Sequence, residues 1–214
     1  MLSSLEPRVP TALIERIEGW SSDRVPVLPA RSASVVLLRD VGSGLQAYLL
    51  HRHARMSFAP SMVVFPGGRL DPVDEAAADA LIACACRETA EETGVLLEGE
   101  ALLPWAHWIT PECEPRRFDT FFYVAELPPG QDARDISGET DRAAWTPPAA
   151  ALAAARAGEI GLMPPTLSIL TELSQAGDLA GVRAQAEDRL IETVLPEVVR
   201  VADGWRFRYP EAPR

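Results

Sequence analysis

Three glutamates within five residues, Glu88, Glu91 and Glu92, are the part of this chain best suited to chemistry. They lie in Arg87-Glu88-Thr89-Ala90-Glu91-Glu92-Thr93-Gly94-Val95, which reads as the end of a helix. At about 100° per residue the three carboxylates fall within roughly a third of the circumference. Like charges at i,i+3 and i,i+4 repel, so the clustering costs helix stability unless something positive sits among them. A hard divalent cation, Mg²⁺ or Mn²⁺, is the natural occupant, because such ions favour carboxylate oxygens and tolerate retained water. Glu88 and Glu92, at i,i+4, are the best primary ligands, with Glu91 as the third, direct or through water.

The elements that must position these acids can be read around them. Ile82, Cys86, Thr89, Ala90 and Thr93 make an opposite face that is small and mostly apolar, suited to packing on a sheet. Gly94 stands where a helix end needs a left-handed residue. Upstream, Met62 to Phe65 is an apolar run followed by Pro66-Gly67-Gly68, a strand leaving into a loop. The backbone amides of Gly67 and Gly68 can approach the metal site and a phosphate closely. The layout is strand, glycine loop, helix with an acidic patch.

With these residues in place the chain resembles the Nudix hydrolases. Their pattern is Gly, five residues, Glu, seven residues, then Arg-Glu-(apolar)-x-Glu-Glu-x-Gly-(apolar), and its second half matches at Arg87, Glu88, Glu91, Glu92, Gly94 and Val95. The first half departs from it. The position six after Gly68 is Asp74, the spacing from there to Arg87 is five residues longer, and Thr89 replaces an aliphatic residue. The loop from Arg69 to Ala80 is therefore expanded, and Arg87 can pair with Asp74, Glu75 or Asp79. Such expansion resembles the branch related to peroxisomal coenzyme A diphosphatase. That likeness continues in Ser34-Val-Val-Leu-Leu, Ile82-Ala-Cys-Ala-Cys-Arg-Glu, Val95-Leu-Leu, Trp108-Ile-Thr-Pro and Arg116-Arg-Phe-Asp-Thr-Phe-Phe, over roughly residues 30 to 170.

The resemblance implies an α/β fold, an α/β/α sandwich around a mixed sheet, and hydrolysis of a nucleoside diphosphate linked to another moiety. The transition state of that reaction concentrates negative charge on phosphoryl oxygens; divalent ions offset it and polarise a water. Arg87 is expected to fix the loop by pairing with an acid there. The family also suggests a further acid six residues before a tryptophan. Glu139, six before Trp145, fits, with Asp141 close by; either could ligate a metal or act as general base. Arg52, Arg55, Arg116 and Arg117 are candidates for phosphate contacts, since guanidinium forks suit phosphate oxygens. His51 and His53 read as surface residues. Trp105, Trp108, Phe118 and Phe121 read as core, with one tryptophan available to stack on a base. Coenzyme A or an acyl derivative is the leading substrate. An ADP-ribose or NADH diphosphatase is the alternative, because His51 to Val64 lacks the threonine and glycine positions of the motif that marks many coenzyme A-cleaving members. A non-catalytic module that senses a nucleotide or scaffolds a partner is the rival of another class. The three glutamates speak against it, since a binding module has no need to bear their repulsion.

Composition narrows the setting. Apolar residues make up 47% and charged residues 24%, ordinary for a globular protein. A net charge of −11 argues against a nucleic-acid or anionic-membrane surface. No apolar run reaches the ~18 residues of a membrane span, and the N-terminus lacks the apolar core of a signal peptide. Three cysteines do not make a disulfide framework, and Cys84 and Cys86, two apart on one helix, do not face each other, which argues against a zinc site. A reduced, cytoplasmic setting is expected.

Along the chain, residues 1 to 30 read as an extension, with an amphipathic helix at Thr11 to Trp20 and a Pro-rich linker after it. Residues 31 to 214 are expected to form the Nudix domain, with helical additions from about 147. Ser34 to Arg39 and Gln46 to Arg52 form a hairpin through Val41-Gly-Ser-Gly. Ala101 to Thr110 and Phe118 to Leu127 read as strands, and Ile136 to Trp145 as a loop entering a short strand. Pro147 to Ala157, Pro165 to Gln175 and Leu179 to Leu190 read as helices, and Val198 to Tyr209 as a hairpin about Asp203-Gly204. Residues past about 165 could cover the cleft or build a homodimer.

Overall fold

The computed structural model describes residues 14, 17–19, 25–42, 44–53, 61–138, 140–202 and 204–209. The strand β1 (Ala30–Val41) is the axis of the fold. Its run Val35-Val-Leu-Leu is fully buried, as a strand covered on both faces must be. Alternate residues serve opposite layers: Val35 and Leu37 meet one cluster, Val36 and Leu38 the other. Each such side chain contributes about 1.5–3 kcal/mol on leaving water.

Around β1 stand β2 (Gly44–Arg52), antiparallel through a tight turn with Val41 opposite Gly44, and β6 (Phe118–Glu126), parallel to it. With β3 (Met62–Val64), β5 (Leu103–Ile109), β8 (Gly161–Leu162) and β9 (Thr193–Val194) the order is β8-β3-β2-β1-β6-β5-β9. Two further strands lie off this path. β4 (Gly67–Arg69) pairs with the first half of β1, and β7 (Thr140–Thr146) pairs with β2. The sheet is mixed.

One helix, α1 (Ala80–Thr93), covers the Val35–Leu37 face through Leu81, Cys84 and Ala85. The helices α2 (Pro148–Arg156), α3 (Pro164–Ala176) and α4 (Leu179–Glu187) cover the other face through Leu152, Ile169, Leu170, Leu173 and Val182. The expected α/β/α sandwich is the observed one. Both α2 and α3 open on prolines, whose missing N–H costs nothing there. A separate hairpin, β10 (Glu197–Val201) with β11 (Gly204–Arg208), sets Val201 opposite Gly204. Among the described residues no helix is long and apolar enough to cross a membrane.

Three expectations are corrected. Gly67 and Gly68 are not loop but strand: Gly67 pairs with Ser34 and Gly68 with Ala33. The packed face of α1 is centred on Leu81, Cys84 and Ala85, with Ile82 and Cys86 half-buried at its margin and Thr89 and Thr93 retained. Those two threonines are cheap to bury, because their hydroxyls donate to the Ala85 and Thr89 carbonyls one turn back, at 2.7 and 2.6 Å. The third helical addition stops at Glu187 and leaves Leu190 exposed. The expected Thr11–Trp20 helix lies largely outside the described residues; of it, Ile17 is buried against Phe207.

Candidate functional site

The acidic helix is held at both ends by local chemistry. At its start the Asp79 carboxylate accepts from the Leu81 and Ile82 amides, at 3.0 and 3.1 Å, satisfying donors that a helix leaves open. At its finish Gly94 adopts φ 73°, and its N–H donates to Ala90 O. The Arg134 and Ile136 amides then donate to Thr93 O and Glu92 O, so the segment before β7 takes up two more of the open carbonyls.

Between these ends α1 lies along β4, and backbone meets carboxylate there. The Gly67 amide donates to Glu92 Oε2 at 2.8 Å, and Glu92 is only 9% exposed. A Cβ on Gly68 would stand 2.3 Å from the Glu88 carboxyl carbon and 2.3–2.4 Å from its oxygens. A side chain there would push that carboxylate away. Gly67 is as confined: φ is 152°, and a Cβ would meet Ala33 O at 2.5 Å. Burial pushes the Glu88 carboxyl up, more than the neighbouring Arg87 pulls it down. A charge held so close to backbone asks for a cation.

Arg87 is the hub of the arrangement. Nε donates to Asp74 Oδ1 at 3.0 Å and Nη2 to Asp74 Oδ2 at 2.8 Å, a two-pronged pair. Nη1 reaches Glu88 Oε1 at 2.9 Å and Glu91 Oε2 at 3.1 Å, and Nη2 also reaches Arg69 O. Of the three acids open to it, the partner is therefore Asp74; Asp79 caps the helix and Glu75 is exposed. Asp74 is buried, accepts from the Asp71 amide, and is held below its usual range by the Arg87 guanidinium. The expanded loop is closed by this one residue.

The remaining candidates divide. Glu91 is 60% exposed and turned to Arg87. Among the described residues no group of three His, Cys, Asp or Glu side chains converges closely enough to hold a metal alone. Glu88 and Glu92, both oxygen donors one turn apart beside glycine backbone, fit part of the shell of a hard cation, which readily keeps several waters. Arg52 ends β2 opposite Thr140. Arg116 is exposed. Arg117 is a correction: it is 7% exposed, and its Nε and Nη1 donate to Thr110 O and Val27 O, so it clamps strand ends instead of offering a fork to phosphate. Glu139 and Arg55 lie outside the described residues. Asp141 is ion-paired with His53. Trp105 and Trp108 are buried, which removes both as stacking platforms for a base.

One contributor escaped the sequence reading. Asp135 takes hydrogen bonds from the Ser137 amide and hydroxyl, at 3.1 and 2.9 Å, and from the Thr140 hydroxyl. Burial pushes its carboxyl up, and these donors outweigh that and hold it low. It ties the start of β7 to the segment that closes α1. The cue was Asp-x-Ser, a common local turn.

A sandwich with a mixed sheet, whose outlying glycine strand presses on an acidic helix, defines a recognised class of domain. The chain belongs to the Nudix family: the NUDIX domain model matches residues 28–166. It is 30% identical over 184 residues to nudix hydrolase 7 of Caenorhabditis elegans, covering 69% of this chain and 62% of that protein. Over 131 residues it is 32% identical to the acyl-coenzyme A diphosphatase NUDT19 of Gallus gallus, covering 53% of this chain and 34% of the relative. The chain thus spans less than two thirds of the length of either curated relative. A crystal structure of a NUDIX hydrolase from Alicyclobacillus acidocaldarius superposes with a TM-score of 0.67 at 26% identity, over 74% of this chain and 96% of that one.

Proposed function

We propose that this chain is a divalent-metal-dependent diphosphatase that hydrolyses a nucleoside diphosphate derivative, with coenzyme A or an acyl-coenzyme A as the leading substrate class. The observation that carries the reading is the contact of Gly68 with the Glu88 carboxylate, alongside the Gly67 amide on Glu92. A strand without side chains against two carboxylates suits a site where backbone, acid and phosphate must come close. Membership of the family supports the reaction class. The likeness to a relative named for acyl-coenzyme A hydrolysis supports the substrate class.

In this reading Glu88 and Glu92 hold Mg²⁺ or Mn²⁺, with Glu91 an outer ligand. The ion, when bound, offsets phosphoryl charge and polarises the attacking water. Arg87, fixed by Asp74, keeps Glu88 from swinging towards solvent and lowers the repulsion among the acids. Glu139, or Asp141 at the start of β7, takes the proton of the water as general base. Arg52, Arg55 and Arg116 remain the candidates for phosphate contacts.

The test is a panel of coenzyme A, acyl-coenzyme A esters, ADP-ribose and NADH with Mg²⁺ or Mn²⁺, its products read by mass spectrometry. Adenosine 3′,5′-bisphosphate released from coenzyme A supports the full reading. AMP from ADP-ribose or NADH keeps the diphosphatase and overturns the substrate class. No turnover while metal binds would make the chain a nucleotide-sensing module.

A further inference from the structure

On the face of the sheet away from α1, α4 leaves a cavity of about 580 Å³ against the ends of β1, β5 and β6. That volume lies within the ~300–1,000 Å³ of small-molecule sites. Its walls are apolar, with Leu38 from β1, Val124 from β6 and Val182 from α4. These side chains belong to the cluster under α2–α4, and neither Glu88 nor Glu92 lines the cavity.

The polar residues lining it are unbalanced in sign. Glu126 and Arg183 neutralise each other as an ion pair. Glu100 and Glu187, both exposed, also line it, and among the described residues neither forms an ion pair or hydrogen bond. The lining carries three carboxylates against one guanidinium, already paired with Glu126, so a cation is favoured over a carboxylate. An apolar body is accommodated by the walls.

We infer that this cavity is a second ligand site, for a protonated amine carried on an apolar chain or ring, whose ammonium sits by Glu100 and Glu187. It is independent of the diphosphatase reading.

The experiment uses the full chain with methyl-labelled Leu and Val, titrated by NMR with octylammonium and, separately, octanoate. Octylammonium is expected to shift the methyls of Leu38, Val124 and Val182 and to bind at least threefold tighter than octanoate, as two partly solvated charge pairs allow. Glu100→Gln with Glu187→Gln is expected to abolish that preference, and Ala186→Trp, which fills the cavity, to weaken octylammonium at least tenfold. Should the tryptophan variant not fold, the two exposed glutamine substitutions still decide. Shifts confined to other methyls, octanoate binding as tightly as octylammonium, or a preference that survives the double substitution would each overturn the site.

Discussion

The sharpest test of the candidate site is Gly68→Ala. The φ of Gly68 is outside the left-handed region, so alanine fits the backbone. Its Cβ, however, would lie 2.3 Å from Glu88 Cδ, against an ordinary contact of at least 3.4 Å. The carboxylate must therefore retreat by about 1 Å, and as the end of a flexible side chain it can do so cheaply. Folding stability should change by less than about 1 kcal/mol, since alanine also loses less chain entropy than glycine. Catalysis should not escape, because a displacement of ~1 Å costs on the order of 100-fold. The assay pairs steady-state kinetics on whichever substrate the panel identifies with thermal melting and Mn²⁺ binding. The expected result is a near-native Tm, Mn²⁺ bound at least tenfold more weakly, and kcat down by about two orders of magnitude. Turnover within threefold of the parent would refute the argument that the glycine exists to admit Glu88.

Other perturbations probe the same frame. Glu88→Gln should abolish turnover and leave the fold intact by circular dichroism; unchanged activity would remove Glu88 from the metal site. Asp74→Asn breaks a two-pronged bond to a guanidinium and should cost about 1.5–3 kcal/mol in urea unfolding. Because folded Asp74 titrates below its ordinary 3.8, its contribution is complete above that pH and fades as pH falls further. The parent should accordingly lose more stability than Asp74→Asn on going from pH 4 to pH 2. Gly94→Ala forces a side chain into the left-handed region at φ 73° and should cost about 1–2 kcal/mol, lowering Tm by about 2–8 °C.

Much of the fold was legible because local rules and tertiary structure agree. The acidic helix ends at Gly94 as its cap demands, and the hairpins turn at Val41–Gly44 and before Gly204. The site was legible in its acids and less so in their surroundings. Gly67 and Gly68 carry no strand propensity, and only pairing with β1, more than thirty residues earlier in sequence, makes them β4. Sequence spacing left three acids open to Arg87, and the choice of Asp74 depends on how the expanded loop folds back. Arg117 misled because arginines are seldom buried; here two carbonyls at strand ends satisfy it. The packed face of α1 also takes in Glu92, whose carboxylate accepts from the Gly67 amide.

The closure of α1 by the Arg134 and Ile136 amides has a mechanical consequence. Asp135, between them, also grips Thr140 at the start of β7. The last turn of the acidic helix and the first residue of that strand are thus two arms of one lever with its fulcrum at Asp135. A motion that lifts β7 from β2 and keeps the Asp135–Thr140 hydrogen bond would pull on the helix end that carries Glu92.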